Sequence, residues 1–219
     1  MKKITITIDG PAGSGKGTTV KGVAEKLGYV YVDSGGMYRA ITHVCLPLGL
    51  VNEGPEIQKQ LEKIELDIST DGAIILNGQV MGDELRTEEI NRNVSTIYAR
   101  IQSVRDHVTA SCQRIAQSGG YILDGRDAAT VIAPHAELKI YLDCDPYERA
   151  RRRAIQWGDE SEEKIQEIMN DIFLPRDEAD RHDLDAVKAI AVTVDTTNLT
   201  IDQQIEQIYQ LALEKINEQ

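Results

Sequence analysis

The sequence lacks long apolar runs and has an excess of acidic over basic residues. No stretch approaches the roughly 18 apolar residues of a transmembrane helix, so we expect no membrane partner. The start Met1-Lys2-Lys3 is basic, but the alternating residues 4–9 differ from the continuous apolar stretch of a signal peptide. With 24 Lys and Arg against 36 Asp and Glu, the formal net charge is −12, which disfavours a nucleic-acid partner. Any polyanionic ligand must therefore be held by a local cationic site.

Cysteine and histidine are scarce. The three cysteines, Cys45, Cys112 and Cys144, are an odd number without a C-x-x-C pair. They predict reduced thiols in a reducing compartment, and so a cytoplasmic protein, rather than a disulfide framework or a zinc site. The four histidines are scattered along the chain, and no two have the spacing of a metal-ligand pair.

The composition is that of a globular protein, and the 219 residues suit one domain, residues 1–219. Predicted strands lie at residues 3–8, 29–32, 121–123, 138–142 and 189–194, and predicted helices lie between them. This alternation is typical of an α/β fold whose parallel sheet is covered by helices on both faces.

Some segments have their own patterns. Residues 50–93 carry short strands around the turn signals Asp71-Gly72 and Asn77-Gly78, which predicts an antiparallel meander inserted in the α/β chain. We expect a long helix over residues 94–117 and an amphipathic helix over residues 162–173. A capping box, Thr200-x-x-Gln203, opens the last predicted helix.

A glycine-rich run separates the first predicted strand from the first predicted helix. Its sequence is GPAGSGKGT (10–18). This context is typical of a phosphate-binding loop, because glycine lets backbone N–H groups point at phosphate oxygens and the helix N-terminus adds positive charge. Lys16 can reach the β- and γ-phosphates. Gly17 takes the Ser or Thr position of the pattern GxxxxGK[ST], and Thr18 follows one place later.

Arginines recur in later segments. DSGGMYR (33–39) and DGRD (124–127) each follow a predicted strand, and further arginines lie in ERARRR (148–153) and RDEAD (176–180). The carboxyl ends of parallel strands meet at one edge, so we expect several of these side chains near the glycine-rich loop. Guanidinium binds phosphate bidentately, and phosphoryl transfer needs charge neutralisation and alignment more than a general base. The alternative for residues 149–153 is an exposed helix face paired with Glu148.

The order and spacing of these segments resemble bacterial cytidylate kinases over almost the whole chain. The segments are IDGPAGSGKGT (8–18), DSGGMYRA (33–40), DGRD (124–127), ERA-RR (148–153), RD--D (176–180) and DTT (195–197). The resemblance implies a P-loop kinase with a parallel five-stranded sheet flanked by helices, a monophosphate-binding insertion over residues 36–93 and a lid over residues 151–165. It also implies Mg²⁺- and ATP-dependent phosphorylation of CMP and dCMP by direct phosphoryl transfer. We expect a monomer.

The resemblance further implies site residues. ATP would be bound by Gly10, Pro11, Ala12, Gly13, Ser14, Gly15, Lys16, Gly17 and Thr18, with Thr18 near Mg²⁺ directly or through water. The acceptor would be bound by Ser34, Arg39, Ser95, Arg105, Arg126, Asp127, Arg176 and Asp180. Among these, Arg39 and Arg126 would hold the phosphate, Ser34 and Asp127 the cytosine amino group, Arg105 the base edge, and the others the ribose. The catalytic set would be Lys16 and Arg126 with lid arginines Arg149, Arg152 and Arg153.

Three positions depart from the family's usual pattern. Gly36 stands where Ala is usual, and Asp183 stands where another Arg is usual, with Arg181 as a candidate substitute. Ala128-Ala129 replaces a bulkier residue followed by Gly. The alternatives are a P-loop kinase for UMP or a non-nucleotide acceptor, and an inactive nucleotide-binding relative. A GTP-dependent switch is disfavoured, because the sequence has no guanine-recognising NKxD segment.

Overall fold

A computed structural model describes residues 3–117 and 119–218, and of Ser95 the backbone alone. The chain divides into a first compact unit, residues 1–29 and 119–219, and a second unit, residues 30–118. The strands, in chain order, are β1 (Thr5–Asp9), β2 (Val30–Val32), β3 (Leu66–Ile68), β4 (Ile74–Leu76), β5 (Gln79–Val80), β6 (Tyr121–Gly125), β7 (Leu138–Asp143) and β8 (Val192–Asp195). The α-helices are α1 (Lys16–Leu27), α2 (Ser34–Cys45), α3 (Pro55–Leu61), α4 (Glu88–Thr96), α5 (Gln102–Ala116), α6 (Pro146–Trp157), α7 (Glu162–Glu167), α8 (Leu174–Lys188) and α9 (Ile201–Asn217).

Five strands form the main sheet, in the order β2-β6-β1-β7-β8. The central strand β1 pairs in parallel with β6 and β7, so that Ile6 lies opposite Ile122 on one side and Leu138 on the other. Its residues are buried throughout, including the polar Thr7, because helices cover both faces of a parallel sheet. The predicted five-stranded parallel sheet flanked by helices is confirmed.

The helix α1 begins directly after the glycine-rich run and ends at a glycine. Gly15, at φ 91°, is its N-cap, and Gly28, at φ 63°, is its C-cap in the left-handed conformation that glycine adopts readily. Val20 and Val23, which lie on one apolar stripe of the helix, are fully buried. The stripe is thus the face that packs on the core.

The last helix, α9, opens with the predicted capping box. Thr200 accepts a hydrogen bond from the backbone N–H of Gln203, whose side chain accepts in return from the Thr200 N–H. One buried residue of α9 is polar, since Gln204 accepts a hydrogen bond from the Thr19 hydroxyl of α1 at 2.9 Å. The end of the chain therefore supports the helix that follows the glycine-rich run.

In the second unit, β3, β4 and β5 form the expected antiparallel meander. Leu66 pairs with Leu76, and Ile75 pairs with Val80. Between β4 and β5, Asn77 and Gly78 both adopt positive φ, at 50° and 80°, as a tight two-residue hairpin turn requires.

The prediction of one helix over residues 94–117 is wrong. The chain forms α4, a short 3-10 turn over Tyr98–Arg100 and then α5. Ile97, at φ −125°, and Ile101, at ψ 118°, leave helical geometry. Tyr98 and Ile101 are both buried, so packing of these large side chains outweighs the local helical periodicity.

Two further predictions differ from the structure. The predicted helix over residues 162–173 ends at Glu167 and continues as a π-helical segment, Ile168–Phe173. The last strand is Val192–Asp195 rather than residues 189–194, because α8 extends to Lys188. None of the helices in the described part of the chain has the length and apolar character of a membrane span.

Candidate active site

The glycine-rich run forms a tight loop between β1 and α1. A Cβ on Gly10, at φ 148°, would lie 2.3 Å from the carbonyl oxygen of Leu142, so the close approach of two backbones requires glycine. A Cβ on Gly13, at φ 78°, would lie 2.7 Å from the ring of Phe173. The loop ends at the N-terminus of α1, where the first N–H groups of an α-helix lack intrahelical acceptors. This is the geometry of an anion-binding site.

Lys16 is buried and folds back over this loop. Its ammonium group donates hydrogen bonds to the carbonyl oxygens of Gly10 at 2.6 Å and Pro11 at 2.8 Å. Burial, reinforced by Arg126 and opposed by Asp124, lowers the pKa of Lys16 to about 7. A phosphate beside the amine would raise this pKa, because negative charge stabilises the protonated form.

Arg126 lies directly after β6 and also reaches the loop. Its Nη1 donates to the Gly10 carbonyl oxygen at 3.3 Å, and its Nε donates to Asp180 of α8. Arg176, one turn earlier in α8, lies 4.0 Å from the same carboxylate. The positive charges of Arg126 and Arg176 both disfavour protonation of Lys16, so the three cations lie within electrostatic range of one another. Such a group of cations favours binding of an anion.

Arg149 of α6 lies underneath the loop, with its side chain only 2% exposed. Its Nη1 donates to the Ala12 carbonyl oxygen at 2.9 Å and its Nε to the Cys144 carbonyl oxygen at 3.2 Å. Asp177 of α8 accepts from both terminal nitrogens, and the Phe173 ring centre lies 5.3 Å from the guanidinium carbon. Each nitrogen of Arg149 therefore donates to a protein acceptor, and its contact with phosphate stays a prediction.

The other arginines of α6 have different partners. Arg152 donates to Glu148 at 2.9 Å, one turn earlier on the same helix, and also to the Thr196 carbonyl oxygen at 2.7 Å, so it pairs with Glu148 but does not lie on a fully exposed face. Arg153 lies 5.8 Å from the ring centre of Trp157, and the Lys164 ammonium of α7 lies 5.6 Å from the same ring. Cations attracted to this ring thus come from both helices of the segment.

A second set of predicted site residues lies in the second unit. The Arg39 guanidinium is 3.5 Å from Asp33, which caps α2 by accepting from the Gly36 N–H at 2.9 Å. Arg39 Nε also donates to Asn91 Oδ1 at 3.1 Å, and Arg86 lies 3.9 Å from the same Asp33 carboxylate. Arg86 and Asn91 were not predicted as site residues. Arg86 ends the short 3-10 helix that precedes α4.

The remaining predicted acceptor residues are placed as follows. Ser34 is the first residue of α2, and Arg105 on α5 donates to the Ala99 carbonyl oxygen at 3.4 Å. Asp127 precedes a π-helical segment, Ala128–Ile132, and its carbonyl accepts from the Val131 N–H. The side chain of Ser95 lies outside the described residues.

Comparison with known proteins settles the family. The family model described as Cytidylate kinase matches residues 6–214. The protein named Cytidylate kinase from Shouchella clausii is 40% identical over 227 aligned residues, covering 97% of each chain. The one from Exiguobacterium sibiricum is also 40% identical, over 97% of this chain and 98% of its own. The chain belongs to the cytidylate kinase family.

Among solved structures, TT1252 from Thermus thermophilus resembles this member of the cytidylate kinase family in fold. The TM-score is 0.52, with 16% identity over 98% of both chains. An uncharacterized protein from Eubacterium ventriosum gives a TM-score of 0.51 with 13% identity over all of both chains. At these identities the likeness bears on the fold alone.

The structure explains one departure from the cytidylate kinase pattern and locates the others. A Cβ on Gly36 would lie 2.8 Å from the Ile74 side chain, so Ile74 leaves room for glycine alone unless it moves. Asp183 lies 3.3 Å from the ring of its neighbour His182. Arg181, the candidate substitute for the missing arginine, pairs with Glu178 on the surface of α8.

Asp9 is a residue of this cytidylate kinase family member that the sequence analysis missed. It is the last residue of β1, fully buried, and its two carboxylate oxygens accept from the N–H groups of Ala128 at 2.9 Å and Ala129 at 3.0 Å. Burial, opposed by these two hydrogen bonds, raises the pKa of Asp9 to about 6. The carboxylate therefore fixes the segment that directly follows Arg126 and Asp127. Its signal in the sequence is an acidic residue at the end of the β-branched strand, directly before the glycine-rich run.

Proposed function

We propose that the protein transfers the γ-phosphoryl group of ATP to CMP and dCMP. The observation that carries this proposal is the match of residues 6–214 to the cytidylate kinase family, which includes the phosphate loop between β1 and α1. A phosphate oxygen of the acceptor forms a bond to the γ-phosphorus of ATP as the bond to the bridging oxygen of ADP breaks. The acceptor oxygen is already ionised, so the step needs no general base.

On the donor side, the loop residues 10–18 bind the phosphates of ATP in this proposal. The Lys16 amine leaves the carbonyl oxygens of Gly10 and Pro11 and turns to the phosphates, which restore its full positive charge. Arg126 neutralises charge on the acceptor phosphate, and its bond to Asp180 holds the guanidinium at the loop until the acceptor arrives. Charge neutralisation and alignment of this kind are the main sources of rate in phosphoryl transfer.

Magnesium enters the proposal with the nucleotide. The described residues contain no group of three acidic, His or Cys side chains that could hold a metal ion, whereas Thr18 offers an exposed hydroxyl in the first turn of α1. This donor set fits Mg²⁺, which prefers substrate phosphates and water to an all-protein cage. Bound there, Mg²⁺ would neutralise negative charge on the ATP phosphates.

On the acceptor side, Arg39 is proposed to hold the CMP phosphate, and Ser34, Asp127 and Arg105 the cytosine. A carboxylate can accept a hydrogen bond from the cytosine N4 amino group, whereas uracil has an acceptor oxygen at that place. Ser95, Arg176 and Asp180 are proposed to contact the ribose. Arg152 and Arg153 are proposed to close over the phosphates from the lid over residues 151–165.

The test is ADP formation from MgATP in a coupled assay with CMP, dCMP, UMP, AMP and GMP as separate acceptors. We expect turnover with CMP and dCMP and little with the other three. Asp127→Asn should reduce turnover with CMP sharply, because a neutral amide replaces the charged carboxylate that accepts from the amino group. Equal rates with AMP, or a wild-type protein that binds ATP without turnover, would contradict the proposal.

We further propose a monomer that works in the cytoplasm. Cys45, Cys112 and Cys144 are buried thiols outside any disulfide in the described residues, as expected in a reducing compartment. Light scattering of the purified protein measures the mass, and a dimer at working concentration would contradict the monomer.

A further inference from the structure

The ion pair of the buried Arg149 and the half-buried Asp177 carries an inference beyond the site residues. We propose that Arg149 and Asp177 are positioning residues that hold the phosphate loop in its anion-binding shape, and that Arg149 does not itself contact phosphate. The inference rests on the proposed function only in taking ATP as the ligand of the loop.

The hydrogen bond from Arg149 to the Ala12 carbonyl orients the peptide group between Ala12 and Gly13. A trans peptide is planar, and its C=O and N–H point in opposite directions. The bond at 2.9 Å draws the Ala12 carbonyl toward α6 and so turns the N–H of Gly13 away from α6. The orientation of a loop N–H group, which decides whether it can bind phosphate, is thereby fixed by a buried side chain.

Phe173 packs against the same part of the phosphate loop. Its ring lies 5.3 Å from the Arg149 guanidinium and against the face of Gly13, where a Cβ would be 2.7 Å from the ring. The ring belongs to a buried cluster with Ala12, Ala150 and Ile168. Residues 12 and 13 of the loop are thus held between an aromatic ring and a cation that are themselves in contact.

Asp177 determines the position of the Arg149 guanidinium. It accepts from both terminal nitrogens in the bidentate arrangement that fixes the plane of the group. Burying a guanidinium that is only 2% exposed is strongly unfavourable without such a partner. Loss of the Asp177 charge should therefore displace Arg149 and, through it, the Ala12 carbonyl.

The test is a double-mutant cycle on ATP binding, measured by titration calorimetry without acceptor. The variants are Arg149→Lys, Asp177→Asn and the double variant, with Arg151→Lys as the matched control from the exposed side of α6. We expect either single change to raise the Kd of ATP by roughly 10-fold or more, since small misplacements of a site have effects up to about 100-fold. The double variant should be no weaker than the weaker single variant, because both changes act on one contact. Arg151→Lys should bind ATP as the wild type does.

Steady-state kinetics give the readout that a purely structural role would not move. KM for ATP should rise in both single variants while KM for CMP stays within about 2-fold, and melting should show folded protein in each case. If Asp177→Asn binds ATP normally while Arg149→Lys does not, or if the two losses multiply, Arg149 contacts phosphate directly and the inference is wrong. A wild type that binds ATP but leaves CMP unphosphorylated would refute the proposed function alone, since the binding cycle would still report on the loop.

Discussion

The phosphate loop of the first unit and the arginine group of the second unit handle positive charge in different ways. Lys16 and Arg149 are buried, and both donate hydrogen bonds to backbone carbonyl oxygens of the loop. Arg149 also binds the Asp177 carboxylate in a bidentate arrangement. Arg39 and Arg86 share Asp33 at 3.5 and 3.9 Å, with side chains 25% and 60% exposed.

The two regions differ in whether their cationic side chains are fixed when the protein folds or can still change partners when a ligand binds. Removing a partner from a buried charge costs about 3–5 kcal/mol, whereas exposed ion pairs contribute about 0–1 kcal/mol. The loop is therefore built into the folded state. The arginines of the second unit can exchange Asp33 for a ligand at little cost.

The largest expected effect is at the centre of the loop. Lys16→Ala should lower kcat by about 10³-fold, because it removes a preorganised charge from the transferring phosphoryl group. The coupled assay with CMP measures this, and a thermal melt of the same preparation shows whether the fold is retained. Turnover near the wild-type rate would place the charge stabilisation elsewhere.

The next effect tests the rigidity of the loop through stability. Gly10→Ala should reduce the free energy of unfolding by about 3 kcal/mol, since its Cβ would meet the Leu142 carbonyl oxygen at 2.3 Å and φ is positive. Gly17→Ala is the matched control, because no atom lies within 4 Å of its Cβ, and we expect a change of at most about 1 kcal/mol. Urea denaturation measures both. Equal stabilities would mean that the loop can move away from Leu142.

A smaller effect is expected in the second unit. Arg39→Ala should raise KM for CMP about 10-fold, the cost of one charge-assisted hydrogen bond to a phosphate, and should leave KM for ATP unchanged. Its free energy of unfolding should fall by less than about 1 kcal/mol. A large loss of stability would show that Arg39 is as firmly built into the fold as Arg149.

The smallest effect concerns the carboxylate at the end of β1. Burial raises the pKa of Asp9 from its ordinary value of 3.8 to about 6 in the folded protein. The folded state therefore binds the proton more readily, so this group adds stability as the pH falls from 7 to 5, by about 1 kcal/mol. Urea denaturation at both pH values, for the wild type and for Asp9→Asn, measures the contribution of Asp9 to the free energy of unfolding. The wild type should gain relative to the variant at pH 5, and the opposite sign would contradict the raised pKa.

The parts of this molecule that the sequence predicted are those encoded by neighbours in the chain. The phosphate loop follows from glycines within residues 10–17, between a β-branched strand and an amphipathic helix. The Thr200 capping box and the Asn77-Gly78 turn are equally local and were predicted correctly. Local hydrogen bonding decides these features before tertiary packing acts.

The features that were missed depend on distant partners. Asp9 meets the N–H groups of Ala128 and Ala129 more than a hundred residues later, and no spacing rule joins them. The pairing of Arg149 with Asp177, 28 residues later, was also missed. The break in the helix over residues 94–117 likewise follows from burial of Tyr98. Each depends on which surfaces meet after folding, which helical or strand periodicity does not encode.

The indole ring of Trp157, at the end of α6, gives the protein a single tryptophan fluorophore. Trp157 is the one tryptophan of the sequence, so indole emission comes from a single point, with Arg153 and Lys164 beside it. A change in that emission on adding ATP would report movement of residues 153–164 without any attached dye. The same protein that is tested for turnover thus carries its own probe of the segment proposed to close.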